Sequence, residues 1–277
     1  MQRRNMKWKQ ATAWRRGFVA AFGVCILSFA ANATFSEIRP GNALGLAYGV
    51  GAATLMLAAA LYGMRRRTMP IATRMGLGTA RSWLYLHIYG GSLFLVLMLM
   101  HSGFRLPRGT TTGWLWGLSL WTVASGLLGL ALQQWIPRVL GSALSVEVLY
   151  ERIPELVDEV RAKAESCVAS CSEPVKRLYA ARLAPTFEGP RRRWIYFADV
   201  TGGIQSHLKD LHYLKGLTSA EEQEKLTELA ALYEAKLELD AHYTLQLPLR
   251  CWLYSHVPLS LVLVAFLVLH VFAVLYY

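Results

Sequence analysis

Acidic residues are nearly missing from most of this chain. Outside residues 138–250 the 277-residue sequence holds one, Glu37, against 14 Lys and Arg. No carboxylate therefore lies in any of its long apolar runs, which argues against a metal transporter that would need acids inside the membrane. Cysteine is scarce as well, at four. No C-x-x-C-H sequence occurs, so a covalently attached c-type haem is not expected. Cys167 and Cys171 stand one helical turn apart with no further cysteine nearby, which reads as two thiols rather than an iron–sulfur site. No repeat of 20–50 residues recurs, and no alternating pattern of a membrane barrel is present.

What is present is apolar sequence: 54% of the residues are hydrophobic and only 17% charged, with a mean hydropathy of +0.30. The apolar residues fall into long uncharged runs near 17–34, 42–63, 82–103, 113–135 and 251–277. Each approaches the ~20 residues a helix needs to cross a bilayer, and a single span can satisfy its own backbone only as a helix. The first run follows a basic lead and precedes "ANA", as a signal peptide would. It is longer than an ordinary signal core, so we read it as a membrane helix.

The charge sorts by segment. Residues 138–250 nearly balance, with 15 basic and 17 acidic side chains. The excess positive charge sits beside the spans, which points to membrane topology and away from nucleic acid. Six Lys and Arg precede the first span and five lie between the second and third; the intervening loops on the other side hold one and two. The positive-inside rule then places the N-terminus in the cytoplasm, in what we expect to be a bacterial inner membrane, and by span counting the insertion 136–249 is cytoplasmic too. Within that insertion "VEVLYERIPELVDEVRAKAESCVASC" has the spacing of an amphipathic helix. The aromatic, turn-rich stretch from Arg177 to Gly203 is expected to hold a short hairpin. "TSAEEQEK" is a helix start, with Thr218 or Ser219 as cap and Glu221 and Glu222 in the first turn. That helix is expected to be interrupted near Pro248 before the last span.

Two spans carry paired histidines. The third reads "HIYGGSLFLVLMLMH", His87 to His101; the fifth reads "HVPLSLVLVAFLVLH", His256 to His270. On a helix the 14-residue step comes within about 40° of four full turns and rises about 21 Å. Each helix thus shows two imidazoles on nearly one face at two depths. Both spans run from cytoplasm to outside, so His87 should stand level with His256 and His101 with His270. Imidazole pairs in an apolar surround suit the iron of two non-covalent b-type haems, each with two axial histidines. Gly90 and Gly91, three and four residues after His87, would let a flat macrocycle approach the backbone. Arg81, Arg250 and Arg105 flank the histidines and are candidates to pair with haem carboxylates; the competing reading is ordinary interfacial snorkelling. His207, His212 and His242 lie in the insertion, and we assign them no metal.

These stretches resemble the dihaem cytochrome b family, including the cytochrome b of bc1 and b6f complexes. That family's four-helix core uses two helices, each with a histidine pair 13 or 14 residues apart. "LHIYGGSLFLVLMLMH" has the family's glycine three residues after the first histidine, and "SHVPLSLVLVAFLVLH" its early proline. The family also places glycines 14 apart on its other two helices; here Gly49 and Gly63 match, while Gly117 is answered only by Ala131. The resemblance covers 42–135 and 250–277. An extra span and basic lead (1–41), a long insertion (136–249) and the lack of a quinol-oxidation half depart from it, which makes bc-type quinol bifurcation improbable.

The expectation is therefore an all-α integral membrane protein with five transmembrane helices, four of them a dihaem bundle, plus a mainly helical cytoplasmic insertion. The resemblance implies a subunit that carries electrons across the membrane between a quinone and a peripheral redox subunit, an iron–sulfur, flavin or multihaem c protein. Membrane lipid surrounds it and no nucleic acid is expected as a partner. Two alternatives stand beside this: a quinone-reactive cytochrome b anchor of a hydrogenase- or formate dehydrogenase-like complex, and a haem-free membrane sensor or scaffold.

Overall fold

The computed structural model describes residues 2–35, 39–67, 78–143, 149–201, 204–205 and 220–276. The described residues are almost entirely helical, and no strand occurs among them. Five helices are long and apolar enough to cross a membrane, at Gln10–Phe35, Ala43–Gly63, Ala80–His101, Thr110–Gly141 and within Glu222–Tyr276, which fits an integral membrane protein. The chain divides into two compact units: Met1–Leu128 with Tyr254–Tyr277, and Gly129–Leu253.

The first unit is built from α1 (Gln2–Phe35), α2 (Ala43–Arg67), α3 (Ala80–Tyr85), α4 (Gly91–His101), and parts of α5 (Thr110–Ala143) and of a later, long helix. On α2 the residues Tyr48, Ala52, Met56 and Ala59 are buried, a stripe at helical spacing. Tyr48, Ala52 and Met56 pack against Phe94, Leu97 and Met100 of α4, Leu118 of α5 and Leu263, with Cys25 and Phe29 of α1 at the edge. The opposite faces are also apolar but exposed: Leu46, Val50, Leu57, Val268, Leu269 and Phe272. Apolar residues outside as well as inside are what a lipid surround requires. The additional first helix is tied along its length to α2 and the third span. Tyr48 donates to Ser28 (3.1 Å), Asn42 to Asn32 (3.3 Å) and Gln10 to Ser82 (2.7 Å), while Phe18 meets Tyr89 and Trp14 meets Tyr85.

The third span is not one continuous α-helix, as the 14-residue estimate assumed. Between α3 and α4 the backbone takes a π turn at Leu86–Gly90, and His87 lies inside it. Such one-turn bulges re-aim the side chains they carry. Beyond His101 the span closes in a turn with Gly103 at φ 61 and Phe104 at φ 57.

The second unit contains α6 (Ile153–Ala169), α7 (Glu173–Leu178), α8 (Ala184–Phe187) and part of α9 (Ala220–Tyr276). The amphipathic α6 buries Ile153, Val157, Ala164, Cys167 and Val168. Tyr179, Leu183, Phe187 and Tyr196 pack with Leu229, Tyr233, Leu237, Ala241 and Leu245 of α9. Two expectations fail here. The hairpin is replaced by helical turns, including a π turn at Tyr179–Leu183 and a 3-10 turn at Trp194–Phe197. The one extended piece lies along α9 instead: Arg191 N–H donates to Asp240 Oδ1 (2.7 Å) and Arg193 N–H to Thr244 Oγ1 (3.2 Å). Side chains one helical turn apart thus satisfy alternate backbone donors that a strand partner would otherwise take. Asp240 is in turn held by Lys236 Nζ at 2.6 and 2.7 Å, both residues fully buried. The expected break near Pro248 is also absent, and α9 runs unbroken through it for 57 residues. Buried packing on both sides of the proline, at Leu245 and Leu263, outweighs one missing backbone bond. The expected caps Thr218 and Ser219, the basic loop from Thr68 to Leu77, and His207 and His212 lie outside the described residues.

Candidate functional site

In the first unit the structure brings the histidines together in two pairs. The rings of His87 and His256 have centroids 6.3 Å apart at 80° to one another, and those of His101 and His270 lie 6.5 Å apart at 77°. The first histidine of each helix meets the first of the other, so the third and fifth spans run parallel.

Neighbouring helices orient the rings. His87 Nδ1 lies 2.9 Å from the carbonyl oxygen of Ala59, and His101 Nδ1 lies 2.8 Å from that of Gly45. A carbonyl only accepts, so each Nδ1 carries its proton and donates, which leaves Nε2 unprotonated with its lone pair available. His256 Nδ1 lies 2.9 Å from Ser125 Oγ, and that hydroxyl donates its own proton to the Thr122 carbonyl at 3.0 Å. The serine therefore accepts from His256, fixing the same tautomer. Ala59 and Gly45 are 14 residues apart on α2, the interval between the histidines they hold.

Glycine makes room where the rings approach a helix. A Cβ added at Gly49 would stand 2.8 Å from His101 Nδ1, and one at Gly126 would stand 3.4 Å from His256 Cε1. Between the storeys lies a sealed apolar layer. Phe94, Leu263 and Ala52 are the residues midway between the paired positions on their helices, and Leu118 is seven residues from Ser125. All four are buried in one cluster.

The spacing within each pair has a direct chemical meaning. A bond of about 2.0 Å from a first-row metal to an imidazole nitrogen, plus about 1.1 Å from that nitrogen to the ring centre, places two ring centres about 6.2 Å apart across one metal atom. The observed 6.3 and 6.5 Å are compatible with this, and they also fall within the roughly 4.5–7 Å range of ordinary edge-to-face ring contacts. Two donors per centre suit a metal whose other positions are filled by a non-protein ligand. Among the described residues no three or more His, Cys, Asp or Glu side chains come together as a self-contained metal site. Among the described residues four buried polar atoms have no hydrogen-bond partner in the protein: Trp116 Nε1 and Thr122 Oγ1 on α5, and the hydroxyls of Tyr179 and Tyr196 in the second unit.

The other candidate residues are more dispersed. A Cβ at Gly90 would meet Leu86 and Leu55, and one at Gly91 nothing within 4 Å; neither glycine touches a histidine ring. Arg81 is half-buried in α3, and Arg105 is exposed just past His101. Arg250 belongs to the second unit, where it pairs with Glu151 and lies 4.4 Å over the ring of Tyr150. His242 is buried with Nδ1 3.2 Å from Gln246 Nε2. Cys167 and Cys171 are buried thiols. Burial, reinforced by the Glu228 carboxylate, pushes the Cys167 thiol up to about 11, so it is inert at neutral pH. Ser125, Gly126 and the Gly45 and Ala59 carbonyls were not singled out from sequence. Ser125–Gly126, polar and small inside an apolar run, is the signal that could have found two of them.

Scans against protein-family models, curated proteins and solved structures find no match to this chain.

Proposed function

We propose that this chain is a membrane dihaem cytochrome b subunit, with one b-type haem held by His87 and His256 and a second by His101 and His270. The observation that carries the reading is the pairing of the histidines at two levels, 6.3 and 6.5 Å between ring centres, combined with Nδ1 bonds that leave Nε2 of His87 and His101 unprotonated. The haem supplies a one-electron carrier of adjustable potential. The protein supplies two fixed imidazoles per centre, tautomers set by α2 and α5, and an apolar layer of Ala52, Phe94, Leu118 and Leu263 between the storeys. Arg81 and Arg105 are the cations available to haem carboxylates from the first unit.

Stacked centres about 21 Å apart along the helix axes suit electron passage across the bilayer. A membrane quinone at one end and a peripheral redox protein at the other complete the reading, in a bacterial inner membrane with the N-terminus and the second unit in the cytoplasm. The test is a reduced-minus-oxidised spectrum with pyridine-haemochrome quantitation of the purified protein. Two b haems per chain are expected, and His101→Ala should retain one. A preparation loaded in the presence of excess haem that binds none would overturn the reading.

A further inference from the structure

The second unit carries an exposed cationic and aromatic edge that electron transfer does not use. The 3-10 turn Trp194–Phe197 follows three consecutive arginines, Arg191, Arg192 and Arg193. Trp194 is 79% exposed and Ile195 49%, far more than an indole and a branched aliphatic chain should leave in water. Phe197 stacks on Trp194 at 5.6 Å, and on its other side on Trp135 at 6.2 Å. Trp135 stands on α5 at the end of the apolar run 113–135, and tryptophan favours the membrane–water interface. Arg138, one turn on, is exposed.

The loop is braced rather than loose. The buried Lys236–Asp240 pair and Thr244 hold its backbone at Arg191 and Arg193. The Arg192 guanidinium rests over the Tyr243 ring at 5.3 Å, and that of Arg191 bonds the Pro185 carbonyl. Neither partner is an anion, so both keep their charge. Two ring contacts tie Trp194 to the end of the span, and the headgroup layer extends about 5–7 Å beyond the hydrocarbon on each side.

We propose that the turn Arg191–Phe197, with Trp135 and Arg138, is an interfacial clamp that seats the second unit on anionic phospholipid headgroups. Trp194 and Ile195 enter the interface, and the arginines pair with headgroup phosphates. An acidic protein would match the charge but not the exposed indole, whose stack continues from the end of a membrane span. This inference rests on the membrane reading alone and is independent of haem.

The full chain, reconstituted in phosphatidylcholine vesicles with and without phosphatidylglycerol, supplies the test. The emission difference between wild type and Trp194→Phe isolates Trp194. Expected are severalfold quenching of that difference by phosphatidylcholine brominated high on its acyl chains, and slower trypsin cleavage at Arg191–Arg193 when phosphatidylglycerol is present. In R191Q/R192Q cleavage after Arg193, the trypsin site that remains, should be equally fast in both vesicles while haem content is unchanged. A Trp194 quenched only by aqueous iodide, with a loop cut equally fast in both vesicles, overturns the proposal and reassigns the patch to a protein partner.

Discussion

Substituting Gly49 with alanine adds one methyl group at the most crowded point of the outer histidine pair. The new Cβ would lie 2.8 Å from His101 Nδ1, 2.9 Å from Cε1 and 3.3 Å from Cγ. Non-bonded carbon contacts are comfortable from about 3.5 Å, so the ring must retreat by roughly 0.6 Å. Retreat stretches the 2.8 Å bond to the Gly45 carbonyl to the limit of hydrogen-bond range. Overpacking of this kind costs about 1–3 kcal/mol, and the weakened hydrogen bond about 1 kcal/mol more. The helix gains back about 0.5–1 kcal/mol from alanine over glycine, which leaves the clash dominant. On the proposed reading, a net loss near 2 kcal/mol weakens haem binding at the His101–His270 pair about 30-fold. Titration of the purified protein with haem should show one site unchanged and one weakened by that order. Gly51→Ala is the control: it lies two residues along the same helix and meets only the flexible tip of Leu97 at 3.2 Å, so both sites should persist. If Gly49→Ala binds two haems with unaltered affinity and spectrum, the outer pair is not the site described.

Ser125→Ala removes the acceptor for His256 Nδ1; the inner centre alone should shift in midpoint potential, and a redox titration with both potentials unchanged would contradict the assignment. Phe94→Ala opens a cavity in the layer between the storeys and should cost about 3–5 kcal/mol, read as a lowered thermal midpoint. Asp240→Ala strands Lys236 in a buried site and frees the Arg191 N–H, for about 3–5 kcal/mol; proteolysis should then begin in the Arg191–Arg193 segment. Because the Cys167 thiol lies up at about 11, its thiolate forms only as pH approaches that value; near pH 8 maleimide should leave the buried Cys167 untouched in the folded protein and modify it once the protein is denatured, as peptide mass mapping would show.

The spans and histidine spacing were legible because they follow from period and length: an apolar run of some 20 residues has one outcome in lipid, and a 14-residue step returns to one helix face. The pairing of His87 with His256 and of His101 with His270 followed from counting spans, since the third and the fifth must run parallel. The π turn at Leu86–Gly90 was not legible, because it is a choice among near-equal backbone hydrogen-bond registers made by tertiary packing. The carbonyls of Gly45 and Ala59 were hidden for a simpler reason: a backbone acceptor has no letter in the sequence. Pro248 and the supposed hairpin misled for a common cause. Local propensity gave way to α9, whose buried side chains support the helix through its proline and bind the extended Arg191–Arg193 segment.

The order in which the paired histidines emerge during synthesis bears on assembly. Between His101 and His256 the ribosome adds 154 residues. During that interval His87 and His101 already have the α2 carbonyls they need, yet each centre lacks its opposite wall. On the proposed reading, haem delivered early would find one-sided sites, and each pair closes only when His256 and His270 of α9 arrive.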